Sequence, residues 1–170
     1  MKILKIVPFF VFFVTVSITS AQDLKFGHVN SGQLIMELPE YIQAEKALEN
    51  ESTILQDRRK IMQEEIERKF SEYLAQRETL PELIKATMEK DIQDLQQRLE
   101  NYDMLAQQSL AKKQQDLLQP ILEKVYKAIE NVGEENGFFY IFDISTQIVL
   151  YFSDASIDCT QMIKAKLGVK

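Results

Sequence analysis

The chain reads MEKDIQDLQQRLENYDMLA from Met88 to Ala106, and this stretch decides the fold. Its apolar residues alternate spacings of four and three, which is the a/d heptad pattern of a helix lying along another helix. The residues that carry the pattern are Met88, Ile92, Leu95, Leu99, Tyr102 and Ala106. The stretch therefore predicts one helix of a coiled coil, and it requires a partner helix.

The partner is predicted immediately upstream, where a looser apolar seam of the same kind begins after Pro39. This seam consists of Ala44, Leu48, Leu55, Met62, Ile66, Phe70 and Tyr73. Pro39 fits the first position of the first helix, and Thr79, just before Pro81, is expected to cap the second helix. A proline inside a helix usually kinks it, so a bend is expected at Pro120.

Two such arms, together running from about Pro39 to Val132, would each reach roughly 60–75 Å at 1.5 Å per residue. The mean globular helix has only about three turns. A domain of this size cannot bury helices that long, and the antiparallel hairpin should therefore protrude from a smaller body.

The first 21 residues read as a secretory signal peptide. Lys2 and Lys5 supply the positive charge, an apolar core follows from Ile6 to Ile18, and Thr19-Ser20-Ala21 is a small-residue cleavage site. The apolar run is shorter than the roughly 20 residues that span a bilayer, which argues against an uncleaved anchor. We therefore predict an exported protein that starts near Gln22.

Composition excludes several function classes. About 149 residues follow Ala21, enough for a single domain, and the loss of Lys2 and Lys5 changes the formal net charge from −6 to −8. This acidity argues against nucleic acid as a partner. The chain lacks the phosphate-binding loop pattern G-x-x-x-x-G-K-[ST] and any cluster of Cys and His. We predict no enzymatic activity, no catalytic residues, no metal site and no cofactor.

Two residues that occur only once have a functional and a structural interpretation. His28 is the only histidine, and alone it can build neither a metal site nor a catalytic triad. Cys159 is the only cysteine, so no intramolecular disulfide can form. It is either a reactive or intermolecular thiol, or a small apolar side chain that packs at the start of a helix.

The body is predicted to contain three short strands. A first strand covers 24–30, with Gly27 allowing a close approach, and a brief helical turn follows at 31–36. Two apolar runs, 138–143 and 148–152, read as a β-hairpin with its turn at 144–147 and with both faces covered. A final helix is expected from Cys159 to Leu167, with Asp158 as its N-cap and Gly168 closing it.

Three strands leave open edges, which are hazardous for an exported protein. A hairpin covered on both faces also needs more apolar cover than one short chain supplies. Oligomerisation resolves both problems, because a closed barrel built from the strands of several chains has no edges.

With this order of predicted elements, the sequence resembles the Skp/OmpH family of periplasmic chaperones. The resemblance covers essentially the whole chain after the signal peptide, in order. Its matching stretches are GHVN at 27–30, LPEY at 38–41, AEKALE at 44–49, LLQPI at 117–121, Lys124-Val125, KAI at 127–129, NGF at 136–138, Phe142-Asp143 and DCT at 158–160. Best-known members are strongly basic, whereas this chain is acidic, so binding of lipopolysaccharide or anionic lipid is not carried over.

The resemblance implies an α+β, mainly α fold: a long antiparallel helical-hairpin tentacle on a small β body that trimerises into a β-barrel. The expected organisation is a signal peptide at 1–21 and one chaperone domain at 22–170, with the body at 22–38 and 118–170 and the arm at 39–117. The expected oligomer core consists of Phe26, Val29, Phe138, Tyr140, Phe142, Val149 and Tyr151.

The function implied is an ATP-independent holdase in the periplasm, a homotrimer that binds unfolded outer-membrane proteins and prevents their aggregation. The resemblance also leaves room for transient contact with the membrane surface or the assembly machinery. Met and aromatic side chains suit promiscuous binding because they adapt to different partners. The candidate client-binding residues lie toward the tip of the hairpin: Met62, Ile66, Phe70, Tyr73, Leu74, Leu80, Leu83, Ile84 and Met88.

Other interpretations stay open. The same tip residues could simply hold the hairpin shut, although one seam cannot use all of them. The alternative function is a structural coiled-coil protein of the cell envelope, which would need an anchor or a peptidoglycan-binding element. A prefoldin-like assembly that acts on one folded partner or on an enzyme subunit is a third, and client promiscuity would separate it from a holdase.

Overall fold

The computed structural model describes residues 24–146 and 148–169 of the 170-residue chain. The elements are β1 (Lys25–Val29), α1 (Ser31–Met36), α2 (Pro39–Gln76), α3 (Glu82–Asn136), β2 (Phe138–Asp143), β3 (Ile157–Asp158) and α4 (Thr160–Leu167). The predicted signal peptide lies outside the described residues. Helices α2 and α3 have 38 and 55 residues, or about 57 and 82 Å at 1.5 Å per residue.

The two long helices form the predicted antiparallel pair. Lys124 bonds Glu40 at 2.5 Å near the body, Arg59 bonds Asp103 at 2.9 Å midway, and the Tyr102 hydroxyl donates to the Leu55 carbonyl at 2.9 Å. Helix α2 begins at Pro39, as expected. Helix α3 contains Pro120 and continues through it as one element. Because the contacts join residues far apart in sequence in a steady antiparallel register, the hairpin is confirmed.

The predicted cap at Thr79 is wrong. The residue before α3 is Pro81, and it makes no side-chain capping bond. Instead, the backbone N–H and the hydroxyl of Thr79 both donate hydrogen bonds to the Gln76 carbonyl, at 2.9 and 3.0 Å. It therefore completes the end of α2, because a carbonyl there has no partner further along the helix.

The sheet is parallel, with the order β2-β1-β3. Parallel neighbours must be joined by a crossover, and between β1 and β2 the crossover is α1 with the whole helical hairpin. The hairpin is thus a very long insertion between two adjacent strands, which fixes its base to the sheet.

The predicted β-hairpin is a second error. Residues 148–152 form no strand, and the third strand is instead the two-residue β3, which pairs with β1. A strand at 148–152 would have to add to the outer edge of β2. Within residues 24–146 and 148–169, nothing covers Ile148, Leu150 and Tyr151, so pairing would gain little from burial.

One face of the sheet packs against the helices. The core cluster consists of Val29, Leu34, Leu38, Ala44, Ile121, Val125, Ala128, Val132, Cys159, Ile163 and Leu167. Cys159 is fully buried, and burial raises the pKa of its thiol, so the packing interpretation fits and a reactive thiolate does not. Gly168 closes α4 in the left-handed conformation, as predicted.

Asp143 ties the end of β2 to the start of α1. Its carboxylate accepts from the Ser31 hydroxyl at 2.5 Å, from the Ser31 N–H at 3.2 Å and from the Ser145 N–H at 2.9 Å. Partial burial would raise the pKa of Asp143, but these hydrogen bonds together outweigh it and lower the pKa. The carboxylate therefore fixes the point where the chain leaves the sheet.

Gly27 gives a sharp stability prediction. A Cβ at this position would stand 2.5 Å from Cys159 Sγ and 3.0 Å from the Phe138 ring. We expect Gly27→Ala to cost about 1–3 kcal/mol by overpacking, measured by urea unfolding, and Cys159→Ala in the same chain to recover part of it. Gly133→Ala is the control, because its nearest neighbour is 3.7 Å away and alanine favours helix. Equal stability of Gly27→Ala and wild type would contradict the packing described.

Candidate functional site

The structure divides the nine predicted client-binding residues into two groups. Met62, Ile66, Leu80 and Met88 are half-buried, and Tyr73 is only 7% exposed. Four of these side chains lie on α2 and α3 and their burial contributes to closing the hairpin, whereas Leu80 lies in the connection between the two helices. The remaining four are exposed, and we call them the tip surface: Phe70, Leu74, Leu83 and Ile84.

Tyr73 closes the seam near the tip. Its hydroxyl bonds the Glu89 carboxylate on the facing helix, across 16 residues of sequence. The hydrogen bond to Glu89, with burial and the charge of Glu89, raises the pKa of Tyr73, so the phenol stays protonated and donates. Because Tyr73 is engaged in this way, its side chain is not part of the exposed apolar surface, whereas Phe70 and Leu74 on either side of it are exposed.

The tip surface is apolar and uncovered in the single chain. Leu83 is 77% exposed, and Phe70, Leu74 and Ile84 each expose roughly half of their surface. Phe70 and Leu74 are four residues apart and share one face of α2, while Leu83 and Ile84 occupy the first turn of α3. Large apolar side chains at such exposure mark a binding surface when they cluster.

Charges around the tip surface almost cancel. Between residues 67 and 91 the chain has the cations Arg68, Lys69, Arg77, Lys85 and Lys90 and the anions Glu67, Glu72, Glu78, Glu82, Glu89 and Asp91. Lys85 bonds Glu82 at 2.8 Å, which lowers the pKa of Glu82. With only one more anion than cations, the tip has little long-range attraction for a charged partner, and apolar contact is the main force available.

A second apolar set lies along the arms and was missed by sequence reasoning. Ile54, Ile61, Met104 and Leu105 are each more than half exposed, and we call them the shaft surface. The available signal was their register, since Met104 and Leu105 lie between the seam residues Tyr102 and Ala106 and cannot both enter the seam. The apolar surface of the arms is therefore distributed rather than confined to the tip.

The open face of the sheet is aromatic. Phe26 stacks on Tyr140 and Phe142 with ring centroids 6.4 Å apart in each case, and Phe139 meets Tyr140 edge-on at 4.9 Å. His28 lies on the same face with its ring 4.2 Å from that of Phe152. We call Phe26, Phe139, Tyr140, Phe142 and Phe152 the aromatic face. An apolar groove of about 810 Å³ runs along it.

The residues beside this groove are unusually exposed. In the segment 148–152, Ile148 is 81%, Leu150 93% and Tyr151 83% exposed. Val149, Tyr151 and Phe152 line the groove. Parallel sheets are normally covered on both faces, so the aromatic face and the segment 148–152 together are an incomplete apolar surface.

The seven residues predicted for the oligomer core fall into three places. Phe26, Tyr140 and Phe142 lie on the aromatic face, and Val149 and Tyr151 belong to the segment 148–152. Val29 is only 1% exposed in the chain's own core, and Phe138 packs against that core. The first five are available to a second chain, whereas Val29 and Phe138 are used internally.

Within residues 24–146 and 148–169, no group of three or more His, Cys, Asp or Glu side chains is placed to hold a metal ion. Across the same residues, no helix combines the length and the apolar character needed to cross a membrane.

Comparisons with known proteins agree with this architecture. The family model described as "Outer membrane protein (OmpH-like)" matches residues 25–167. A crystal structure from Caulobacter crescentus CB15, of a protein described as an outer membrane chaperone (OmpH-like), has a similar fold with a TM-score of 0.73. It is 11% identical, and the alignment covers 85% of this chain and 83% of that one. No curated protein sequence matches this chain.

Proposed function

Since the chain belongs to the OmpH-like family of outer membrane proteins, we propose that it is an ATP-independent periplasmic chaperone that holds unfolded outer-membrane proteins. It binds clients through the tip and shaft surfaces and keeps them from aggregating. Export to the periplasm follows from the proposed signal peptide at 1–21. The proposal concerns binding alone, with no catalytic step.

One observation carries this proposal: large apolar side chains stay exposed on a long, highly charged helical hairpin. Ile54, Leu74 and Leu83 are among them, while exposed charged side chains such as those of the Lys60–Glu64 and Arg68–Glu72 pairs occupy other positions on α2. Scattered apolar residues on a charged background bind extended apolar segments weakly and at many points. A protein that must hold diverse clients and release them without ATP needs this kind of contact.

We further propose that three chains assemble through the aromatic face. The open edge of β2, the groove and the segment 148–152 supply complementary surface, so each chain would place its segment against the aromatic face of the next. A ring that closes after three such contacts between chains has no exposed strand edges. Three hairpins would then project from one body and enclose a client between them.

The experiment that tests the function replaces the tip surface with glutamine, which favours helix but has little apolar surface. The variant carries Phe70→Gln, Leu74→Gln, Leu83→Gln and Ile84→Gln. A urea-unfolded outer-membrane barrel protein is diluted into buffer, and turbidity is followed at increasing chaperone concentration with and without ATP. We expect wild type to protect equally in both buffers, and the variant to need about tenfold more protein, since four apolar contacts weaken.

A matched variant changes the shaft surface instead, with Ile54→Gln, Ile61→Gln, Met104→Gln and Leu105→Gln. We expect a smaller loss from it, because these residues are spread along the arm. No protection by wild type at severalfold excess, or protection only with ATP, would refute the holdase function. A larger loss of protection in the shaft variant than in the tip variant would mean that the tip surface is not the main client-binding site.

A further inference from the structure

Helix α3 exposes two pairs of adjacent apolar side chains that match each other in position. Leu83 and Ile84 form the first pair, Met104 and Leu105 form the second, and each of the four is at least 44% exposed. Three heptads separate the pairs, and the seam from Met88 to Ala106 keeps one heptad register. Both pairs therefore occupy the same side of α3 relative to α2. At 1.5 Å per residue they stand about 32 Å apart.

The surface between the two pairs is polar. Over residues 85–103, all of which the structure describes, α3 exposes no large apolar side chain. The equivalent positions in the two intervening heptads are held by Lys90-Asp91 and Gln97-Arg98, and all four residues are exposed. Their side chains offer both hydrogen-bond donors and acceptors. This side of α3 is thus apolar at two ends and hydrogen-bonding between them.

A chain in the extended conformation fits this arrangement. It rises about 3.3 Å per residue, and alternate side chains lie on the same side, so two side chains ten positions apart stand about 33 Å apart on one side. A helical segment would need about 21 residues to cover the same distance. An unfolded extended chain also has unpaired backbone N–H and C=O groups, for which the polar stretch of α3 offers partners.

Strands of outer-membrane barrels have the matching spacing. The apolar band of such a barrel is about 25 Å tall, aromatic residues flank it at both ends, and the strands tilt by about 35–45°. The aromatic residues at the two ends of one strand are therefore about 30–35 Å apart along the strand. This distance agrees with the separation of the two apolar pairs.

We propose that α3 recognises a client segment in the extended conformation by binding large apolar side chains about ten positions apart at its two apolar pairs. The polar residues between the pairs bond the backbone of the segment. This inference rests on the holdase function proposed above and names the feature of a client that the arm selects. A segment of equal apolar content but different spacing reaches only one pair, and two linked contacts raise affinity only when both form at once.

The test uses two fluorescently labelled thirteen-residue peptides of equal composition, each with two phenylalanines among threonine and glutamine. The phenylalanines are ten positions apart in the wide peptide and six apart in the close peptide, and threonine favours an extended backbone. Affinity for the full mature chain is measured by fluorescence anisotropy. We expect the wide peptide to bind about fivefold more tightly, because only it reaches both pairs. Glycine and serine between the phenylalanines should remove this advantage, since that flexible chain spans only about 16–19 Å on average.

Moving the second pair provides the matched variant. Met104→Gln and Leu105→Gln remove the pair, and Gln97→Met and Arg98→Leu rebuild it one heptad nearer the tip, where its separation from the first pair is about 21 Å. Phenylalanines six positions apart span about 20 Å in an extended chain. This relocated variant should therefore prefer the close peptide. The variant with Met104→Gln and Leu105→Gln alone should bind both peptides equally, and circular dichroism should show both variants to be helical.

A reversal of preference between the wild type and the relocated variant is the expected result. Equal affinity of the wild type for both peptides, or binding of neither, overturns the two-point recognition, and the holdase function stands if the same preparation still suppresses client turbidity. A preparation that neither binds the peptides nor protects a client overturns the proposed function and this inference with it. A preference for the wide peptide that survives removal of the second pair would place the second contact elsewhere and also contradict the inference.

Discussion

Replacing Leu150 with aspartate is expected to convert the proposed trimer into a monomer. Leu150 is 93% exposed in the single chain, so the substitution disturbs none of the chain's own packing. If a neighbouring chain covers it, each trimer would bury three unpaired carboxylates, and each costs several kcal/mol. That penalty is large compared with the net free energy that usually holds an oligomer together.

The measurement is light scattering of the purified mature variant during gel filtration at micromolar concentration. Leu105→Asp is the matched control, because it places the same charge on an exposed leucine of the shaft surface and should leave the mass at three chains. Circular dichroism should show both variants to be helical. A Leu150→Asp variant that stays trimeric would mean that the segment 148–152 remains in solvent, and the proposed exchange would be wrong.

Excision of the arms is expected to abolish holding while leaving the body folded and trimeric. The change removes Glu51 to Lys113 and joins Asn50 to Gln114 through a short turn. All members of the core cluster lie outside the excised range. The tip and shaft surfaces lie inside it. The deletion therefore removes the proposed client-binding surface and leaves the proposed assembly surface intact.

The geometry permits this join. Contacts between Glu40 and Lys124 on one side and between Arg59 and Asp103 on the other place Asn50 opposite Gln114. Packed helices lie about 8–10 Å apart, a gap that a two- to five-residue loop closes. Client turbidity and native mass are then measured on the same sample. A truncated trimer that protects clients as well as the full chain would place the binding surface on the body.

The helical hairpin could be predicted from sequence because its signal is local and repeated. The apolar spacing from Met88 to Ala106 predicts both a helix and a partner helix that packs against it. This prediction does not depend on residues distant in sequence. Gly27 was predicted to allow a close approach, and the Cys159 sulfur fills the space beside it. Family membership was predicted correctly too, since the order of elements is itself distinctive.

The errors occurred where two local outcomes have similar free energy. A threonine between two helices can end one or begin the next, and Thr79 does the former. An apolar run forms a strand only if something covers it, so residues 148–152 remain outside the sheet of the single chain. Strand β3 has only two residues, too few for any pattern to reveal.

The candidate site was predicted in outline but not residue by residue. Phe70 and Tyr73 are three positions apart, and periodicity alone puts both near the seam. The packing of α2 against α3 decides that Tyr73 turns inward to Glu89 and that Phe70 stays exposed. As the only histidine in the sequence, His28 belongs to no pattern from which its surroundings could be predicted. Its place beside Phe152 depends on the fold of residues distant in sequence.

We propose that an assembly of these chains holds an unfolded outer-membrane protein without nucleotide. The most direct test is the light-scattering mass of the mature chain after a urea-unfolded outer-membrane barrel protein is diluted into it in nucleotide-free buffer. We predict one soluble species whose mass equals three chains plus one client. A pellet that contains the client, beside a soluble fraction that contains only the unchanged mass of the mature chain, would contradict the account.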